Sequence, residues 1–167
     1  MDYEVTTKSY KPQQMAAIRV KTTLPQVTSK VIQLLNETSA YLKSVSVEPT
    51  GPGFAVYYEV GSFLVDLEVG YPVGQEVEGN DRLHAGNLPG GKAAVTLHKG
   101  PHPEMPAAHR AVQLWMREHK VDYVAPPREV FLSDLRDLSE GEDCEAESVW
   151  PIDSETRADR RRKERAS

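Results

Sequence analysis

The order of short apolar segments repeats along the chain, and this repetition limits the possible folds more than any other feature. Ala16–Val20 and Ala93–Leu97 are similar in sequence, and each precedes a loop and a segment with helical periodicity. A proline-led apolar run then follows in each half, at Pro52–Tyr57 and at Pro126–Phe131. Chance can match short apolar segments, but it seldom also matches the order of the elements around them. The repetition therefore predicts two copies of a strand-helix-strand-strand unit.

Apolar periodicity assigns the elements of each unit. Residues Leu24–Val45 and Pro106–Lys120 carry apolar stripes at helical spacing and are predicted helices. Tyr3–Ser9 is predicted as an edge strand, and the polar stretch Gly74–Gly91 is interpreted as a linker between the units. The other predicted strands are Met15–Lys21, Phe54–Val60, Phe63–Val69, Ala93–Lys99, Glu129–Asp134 and Glu145–Trp150.

These elements predict an α+β fold with a tandem pseudo-twofold repeat, antiparallel sheets, a central groove and two long helices. Repeat one covers about residues 3–73 and repeat two about residues 92–153, within one domain of residues 1–153. The remaining segment, residues 154–167, is rich in arginine and is predicted to be a disordered, solvated tail.

Composition excludes several classes of protein. A formal net charge of −5 argues against a general nucleic-acid coat. Cys144 is the only cysteine and lies among acids, which indicates a reducing compartment. No apolar run approaches the roughly 20 residues that span a bilayer. We therefore expect a cytoplasmic protein without a membrane partner.

Strand alternation selects a carboxylate for the groove. If Val130 and Leu132 face the helices, Glu129 faces the opposite side of the sheet as a lone acid among aromatic rings. Desolvation there would raise the pKa of its carboxyl unless a cation neutralised it. The predicted ligand-binding residues are Glu129, Phe131, Tyr57, Tyr71, Trp115 and Trp150.

Simpler interpretations stay open for two of these residues. Glu129 could be an exposed strand acid paired with Arg128 or Arg19, and the sequence favours neither interpretation. For Trp115, packing of its helix on the sheet is favoured over ligand contact. Superposing the two repeats makes Ala55 the equivalent of Glu129, so one half carries a carboxylate that the other lacks.

Motifs for other chemistry are missing from the sequence. It contains no GxSxG elbow, no GxxxxGK phosphate loop and no GxGxxG after a strand. The histidines, His84, His98, His102, His109 and His119, match no zinc spacing and are interpreted as surface or capping residues. We expect no metal and no cofactor. The acidic run from Asp134 to Glu147 could dock on a basic protein, although such runs usually only aid solubility.

Four segments, Gly70–Val73, Ala94–Gly100, Trp115 and Pro127–Phe131, together resemble the GyrI-like (gyrase-inhibitor-like) family. This bacterial effector-binding domain also occurs fused to multidrug-responsive transcription activators. The resemblance implies a ligand groove between the repeats, with a glutamate that meets cationic drugs at the position of Glu129. The family often has a tyrosine two residues later, where this chain has Phe131.

The resemblance implies a stand-alone protein that binds a hydrophobic drug or metabolite, cationic ligands included. We expect no nucleic-acid-binding module, because the chain leaves no room for a helix-turn-helix before Tyr3. One alternative is a hydrolase that opens the cyclopropane ring of DNA-alkylating natural products, with Glu129 as its catalytic residue. A further alternative is a protein-interaction role such as gyrase inhibition. The ligand's identity and the oligomeric state stay open.

Overall fold

The structure, a computed structural model, describes residues 2–166, which form eight strands and three helices. Met1 and Ser167, at the ends of the predicted domain and tail, lie outside the described residues. The elements are β1 (Thr6–Tyr10), β2 (Gln13–Thr23), α1 (Val27–Ser44), β3 (Phe54–Val60), β4 (Leu64–Val73), β5 (Leu83–Leu88), β6 (Gly91–Pro101), α2 (Met105–His119), β7 (Arg128–Phe131), β8 (Asp143–Pro151) and α3 (Arg157–Ala166). The α+β fold class is confirmed.

All eight strands form one antiparallel sheet in the order β1-β6-β8-β7-β3-β4-β2-β5. The order is symmetric about its centre, where β3 pairs with β7, and it relates β1 to β5 and β2 to β6. Each unit therefore has an extra leading strand, which pairs with the other unit: β1 pairs with β6, and β5 pairs with β2. The outermost strands are thus exchanged between the two halves.

The linker interpretation of Gly74–Gly91 is wrong, because this stretch contains the edge strand β5. Only the two end residues of this strand, Leu83 and Leu88, are buried. An edge strand needs little apolar surface, so its sequence resembles a loop. The edge strand predicted near the N-terminus is present as β1.

The two helices α1 and α2 cover one face of the sheet because each has an apolar stripe. Val31, Leu34, Leu35 and Leu42 are the buried apolar residues of α1, at helical spacing.

Close packing within the sheet requires glycine at position 70 of β4. A side chain at Gly70 would put its Cβ 2.0 Å from the carbonyl oxygen of Ala16 on the next strand.

The other face of the sheet is enclosed by curvature. Only two residues separate Tyr10 at the end of β1 from Gln13 at the start of β2, although these strands lie six positions apart in the sheet. The sheet must therefore curl until its ends approach each other. Phe54 and Val149 are buried on this face, in two apolar clusters that contain no helix residue among residues 2–166.

The basic C-terminal segment differs from the disordered tail that we expected, because Arg157–Ala166 forms helix α3. Arg160 forms ion pairs with Asp122, which follows α2, and with Asp153, which follows β8. The Arg157 amide also donates to the Lys120 carbonyl oxygen. These contacts hold the helix against the end of α2. None of the helices in residues 2–166 has the length and apolar character that a membrane crossing needs.

Candidate functional site

Glu129 lies at the centre of the sheet, on the face that α1 and α2 cover. The face that we assigned to it is wrong: Phe131 packs in the core beneath the helices, and Val130 packs on the opposite side. Side chains along β7 do alternate between the two faces, but each residue faces the side opposite to the one that we predicted. The reason is that the large Phe131 side chain is buried beneath the helices, and Glu129, two residues away, faces the same side. Ala55 lies directly opposite Glu129 in the β3–β7 pair, as expected for equivalent residues about a twofold axis.

Three side chains, a tyrosine and two histidines, hydrogen-bond the Glu129 carboxylate. Tyr57 donates its hydroxyl to Oε1 over 2.9 Å. His102 Nε2 lies 2.8 Å from the same oxygen, and His109 Nε2 lies 2.8 Å from Oε2. An ionised carboxylate only accepts hydrogen bonds, so Nε2 of each imidazole carries a proton.

Further hydrogen bonds orient both imidazoles. The Thr28 hydroxyl lies 2.7 Å from Nδ1 of His102. Trp150 Nε1, which can only donate, is 3.2 Å from Nδ1 of His109 and 3.1 Å from the Ser148 hydroxyl oxygen. The Ser148 hydroxyl is 2.6 Å from Nδ1 of His109. These contacts fix the orientation of the His109 ring.

The chain of contacts from Ser148 through His109 to Glu129 contains the residue types of a hydrolytic triad, but its geometry excludes a serine nucleophile. Ser148 is 0% exposed and does not line the cavity above Glu129. Its oxygen also accepts a hydrogen bond from Trp150 Nε1 over 3.1 Å. The serine hydroxyl is therefore part of the support for His109.

The hydrogen bonds keep Glu129 charged although the residue is only 2% exposed. Burial alone would raise the pKa of its carboxyl, but attraction and hydrogen bonding from His102, and then from His109, lower the pKa well below 4.5. Burial, together with the carboxylate beside it, raises the pKa of the Tyr57 hydroxyl well above 10. The site therefore holds a buried carboxylate beside a neutral phenol.

Both histidines that bind Glu129, His102 and His109, were predicted to be surface or capping residues, and this interpretation is wrong. His102 is buried, and His109 is mostly buried. His98 is also buried, between the Tyr3 hydroxyl and the Pro101 carbonyl oxygen. The lack of zinc-ligand spacing does not show that a histidine is exposed, so it was the wrong criterion for these residues.

One histidine could have been recognised from the helical pattern. His109 follows Met105 by four residues and precedes Val112 by three, so it lies beside the buried stripe of α2. A histidine beside a buried stripe needs a polar partner, and Glu129 is the nearby carboxylate. His102 had no such signal, because it lies in the short turn before α2.

A cavity of about 1370 Å³ opens above this cluster, between the first turns of α1 and α2. Of the predicted ligand-binding residues, Glu129, Tyr57 and Trp150 line it, whereas Phe131, Tyr71 and Trp115 do not. Tyr71 and Phe131 are buried in the core, and Trp115 stacks on His119. The cavity walls also include Val27, Ile32, Met105, Tyr123 and Val124.

Charged residues around the cavity are mostly acidic. Glu59, Glu140 and Glu142 line it together with Glu129, and Arg110 is the single cation that lines it among the described residues. With histidines counted as neutral, the formal charge of the lining is 1 − 4 = −3. Among residues 2–166, no group of three or more His, Cys, Asp or Glu side chains is arranged to hold a metal ion.

Solved structures with the same fold include the C-terminal domain of EcmrR and EcmrR in complex with DNA. The EcmrR C-terminal domain matches with a TM-score of 0.79 and 17% identity, over 92% of this chain and 99% of that chain. EcmrR in a DNA complex matches with a TM-score of 0.80 and 16% identity over 90% of this chain, which spans 57% of that chain.

Two more distant structures share the fold. SAV2435 bound to tetraphenylphosphonium has a TM-score of 0.61 and 11% identity, over 92% of this chain and 95% of that chain. A hydrolase from Listeria innocua has a TM-score of 0.58 and 11% identity, over 90% of this chain and 92% of that chain. No curated protein matches the sequence.

The family is established by sequence over most of the chain. Residues 1–152 match the model of the GyrI-like small molecule binding domain. The solved structures at these identities add the fold alone. The chain belongs to the GyrI-like family of small-molecule-binding domains.

Proposed function

We propose that the cavity binds lipophilic small molecules that carry a positive charge. The observation that carries this proposal is the charged, buried carboxylate of Glu129 on the cavity floor. Because the protein keeps this charge away from water, a cation that enters meets it at low effective dielectric. The acidic lining adds a longer-range attraction for cations.

The cavity walls favour the lipophilic part of such a ligand. Tyr57, Trp150 and Tyr123 present aromatic rings to the cavity, and each ring in contact with a cation contributes about 0.5–2 kcal/mol. The volume exceeds the roughly 300–1,000 Å³ of ordinary ligand pockets, so a bulky molecule fits. SAV2435, which shares the fold, was solved with such a cation, tetraphenylphosphonium.

Two probes of equal shape and opposite charge test the proposal. We expect tetraphenylphosphonium to bind in isothermal titration calorimetry and tetraphenylborate to bind at least about tenfold more weakly, a difference of about 1.4 kcal/mol. Glu129→Gln should reduce this preference about tenfold. Glu140→Gln is the matched control, because its carboxylate at the exposed rim is screened by water and should change affinity less than about twofold.

The affinity for tetraphenylborate shows whether the cavity selects its ligand by charge or by shape. If both probes bind equally to the wild type, the cavity selects apolar shape only, and the role of Glu129 is refuted. If neither probe binds, the ligand class is wrong.

Hydrolysis is the second candidate function, because the cavity holds a carboxylate and a tyrosine hydroxyl 2.9 Å apart. In this function Glu129 would hold a water molecule for attack on a cyclopropane carbon. Its lowered pKa makes it a poor proton donor, so the geometry favours binding over turnover. Incubation with cyclopropane-bearing electrophiles decides: a product heavier by one water, absent with Glu129→Gln, would establish hydrolysis.

A protein-interaction role for the acidic run has weaker support. Glu147 is paired with Lys8, Glu145 with Lys99, and Asp134 with Arg136, so several of the acids are neutralised within the chain. A salt-sensitive complex with a basic protein such as a topoisomerase would favour this role.

A further inference from the structure

The loop between α2 and β7, residues 120–127, forms one wall of the ligand cavity. Tyr123 lines the cavity from this loop, and its ring stands edge-on to Trp150, with 5.3 Å between the ring centroids and 84° between the planes. Trp150 also lines the cavity, and it contacts Nδ1 of His109, which hydrogen-bonds Glu129. The position of the loop therefore affects the shape of the cavity beside the carboxylate.

The loop buries little of its own apolar surface. Tyr123 and Val124 are 58% and 62% exposed. Two backbone hydrogen bonds join the loop to the end of β8: the Val124 amide donates to the Pro151 carbonyl oxygen, and the Asp153 amide donates to the Asp122 carbonyl oxygen. Because exposed apolar side chains contribute little to holding a segment in place, polar contacts must fix the position of this loop.

Helix α3 makes further polar contacts with the loop. Arg160 forms ion pairs with Asp122 and, over 2.5 Å, with Asp153. Arg157 Nε lies 3.3 Å from the other oxygen of the Asp122 carboxylate. Helix α3 thus engages both oxygens of Asp122, the residue before Tyr123. Of the residues that the structure describes in α3, none lines the cavity.

Partly exposed ion pairs add little to the free energy of unfolding, but they restrict the local opening of the segment that they hold. Asp122 connects α3 to the cavity wall, because α3 holds its side chain and its neighbour in the chain is Tyr123. A change in α3 therefore reaches the cavity through one peptide unit.

We propose that Arg160 is a positioning residue for the ligand cavity, which through Asp122 holds Tyr123 against the bound molecule. This inference rests on the proposed function, the binding of lipophilic cations. Coupling between two places in a protein is reciprocal, so a ligand that contacts Tyr123 should in turn hold α3 more firmly. Helix α3 is then the part of the molecule outside the cavity that responds to its occupation.

Calorimetric titration with tetraphenylphosphonium tests the positioning role. Arg160→Ala should bind this cation about three- to tenfold more weakly than the wild type, roughly the loss of one aromatic contact. Arg162→Ala is the matched control and should change the affinity less than about twofold, because Arg162 pairs with Asp159 within α3 and its loss removes the same charge from the same helix. Arg160→Lys keeps the charge and can reach one of the two carboxylates, so it should recover part of the affinity.

Two further measurements report on the loop and on α3 directly. In a Trp115→Phe background, Trp150 is the only tryptophan. Acrylamide should quench its fluorescence about twofold more strongly with Arg160→Ala, in the absence of any ligand, because the freed Tyr123 ring no longer shields the indole. Saturating tetraphenylphosphonium should slow amide hydrogen exchange in α3 of the wild type and not in Arg160→Ala.

Equal affinity of the wild type and Arg160→Ala for tetraphenylphosphonium would overturn the proposal, and so would an equal loss in Arg162→Ala. If the wild type itself does not bind this cation, the proposed function fails, and the quenching of Trp150 alone decides whether Arg160 positions Tyr123; unchanged quenching then refutes the positioning role. Should Arg160→Ala fail to fold, Asp122→Asn takes its place, because it removes the same ion pair with little change in size.

Discussion

Replacing His109 by phenylalanine should destabilise the protein because a buried carboxylate loses a donor. The ring keeps nearly its size, but Oε2 of Glu129 loses its 2.8 Å hydrogen bond, which for a charged acceptor is about 1.5–3 kcal/mol. Ser148 and Trp150 also lose their contacts with Nδ1 of the imidazole. We expect a loss of about 2–4 kcal/mol in the free energy of unfolding, or roughly 5–15 °C in Tm.

A double-mutant cycle with Glu129→Leu identifies the cause. Without the carboxylate, His109→Phe should cost much less, so the coupling energy between the two positions should be at least about 1.5 kcal/mol. Urea unfolding followed by circular dichroism measures it, because Trp150 fluorescence would respond to the substitution itself. His119→Phe, on an exposed position of the same helix, is the control and should cost less than about 0.5 kcal/mol.

The pH dependence of the cost has a definite sign. The folded pKa of Glu129 is lowered, so its contribution to stability is present above its unfolded pKa and is lost as the pH falls through the folded pKa. His109→Phe raises the folded pKa, so the variant should lose less stability on acidification. The cost should therefore be greatest at neutral pH and shrink below about pH 4.5. The charged, hydrogen-bonded state of Glu129 would be refuted if His109→Phe lost equal stability in the wild type and in Glu129→Leu. It would also be refuted if the loss in the wild type grew as the pH fell.

Three other perturbations have defined outcomes. Gly70→Ala should prevent stable folding, seen as loss of a cooperative thermal transition, because its Cβ would meet the Ala16 carbonyl oxygen at 2.0 Å; a native Tm would contradict the strand packing. Burial raises the pKa of the Cys144 thiol to about 11, so iodoacetamide at pH 8 should label the native protein at least about 100-fold more slowly than the urea-unfolded chain, and comparable rates would show that the thiol is accessible. Arg160→Ala should change the Tm by less than about 1 °C, because the ion pairs that it breaks are partly exposed. Amide hydrogen exchange in α3 should nevertheless become faster. Unchanged exchange would mean that the ion pair between Arg160 and Asp122 does not hold the helix.

The order of the elements could be predicted because it depends on local periodicity. The stripe of α1 and the matched apolar runs of β2 and β6 are visible in short windows of sequence. Glu129 could be selected as well, since a carboxylate in a buried strand position needs a reason. The symmetry of the repeats also related it correctly to Ala55.

The contacts of Glu129 could not be predicted, because they depend on the phase of one strand relative to distant helices. Alternation along β7 shows that Glu129 and Phe131 share a face, but only the packing of Phe131 decides which face it is. His102 comes from a turn 27 residues earlier in the chain, and nothing local indicates that it reaches the strand. For β5 the pairing partner is β2, far away in sequence, so its own residues carry little signal.

The exchanged edge strands have a consequence for how such a chain can originate and assemble. A single strand-strand-helix-strand-strand unit would have its leading strand projecting outward, with no strand of its own to pair with. Two separate copies could satisfy each other by trading these strands, which is the geometry of a swapped homodimer. Fusing two such copies end to end yields the present topology without any new pairing. It also means that neither half is complete until the other has been synthesised, because β1 must wait for β6, more than 80 residues downstream, before it can join the sheet.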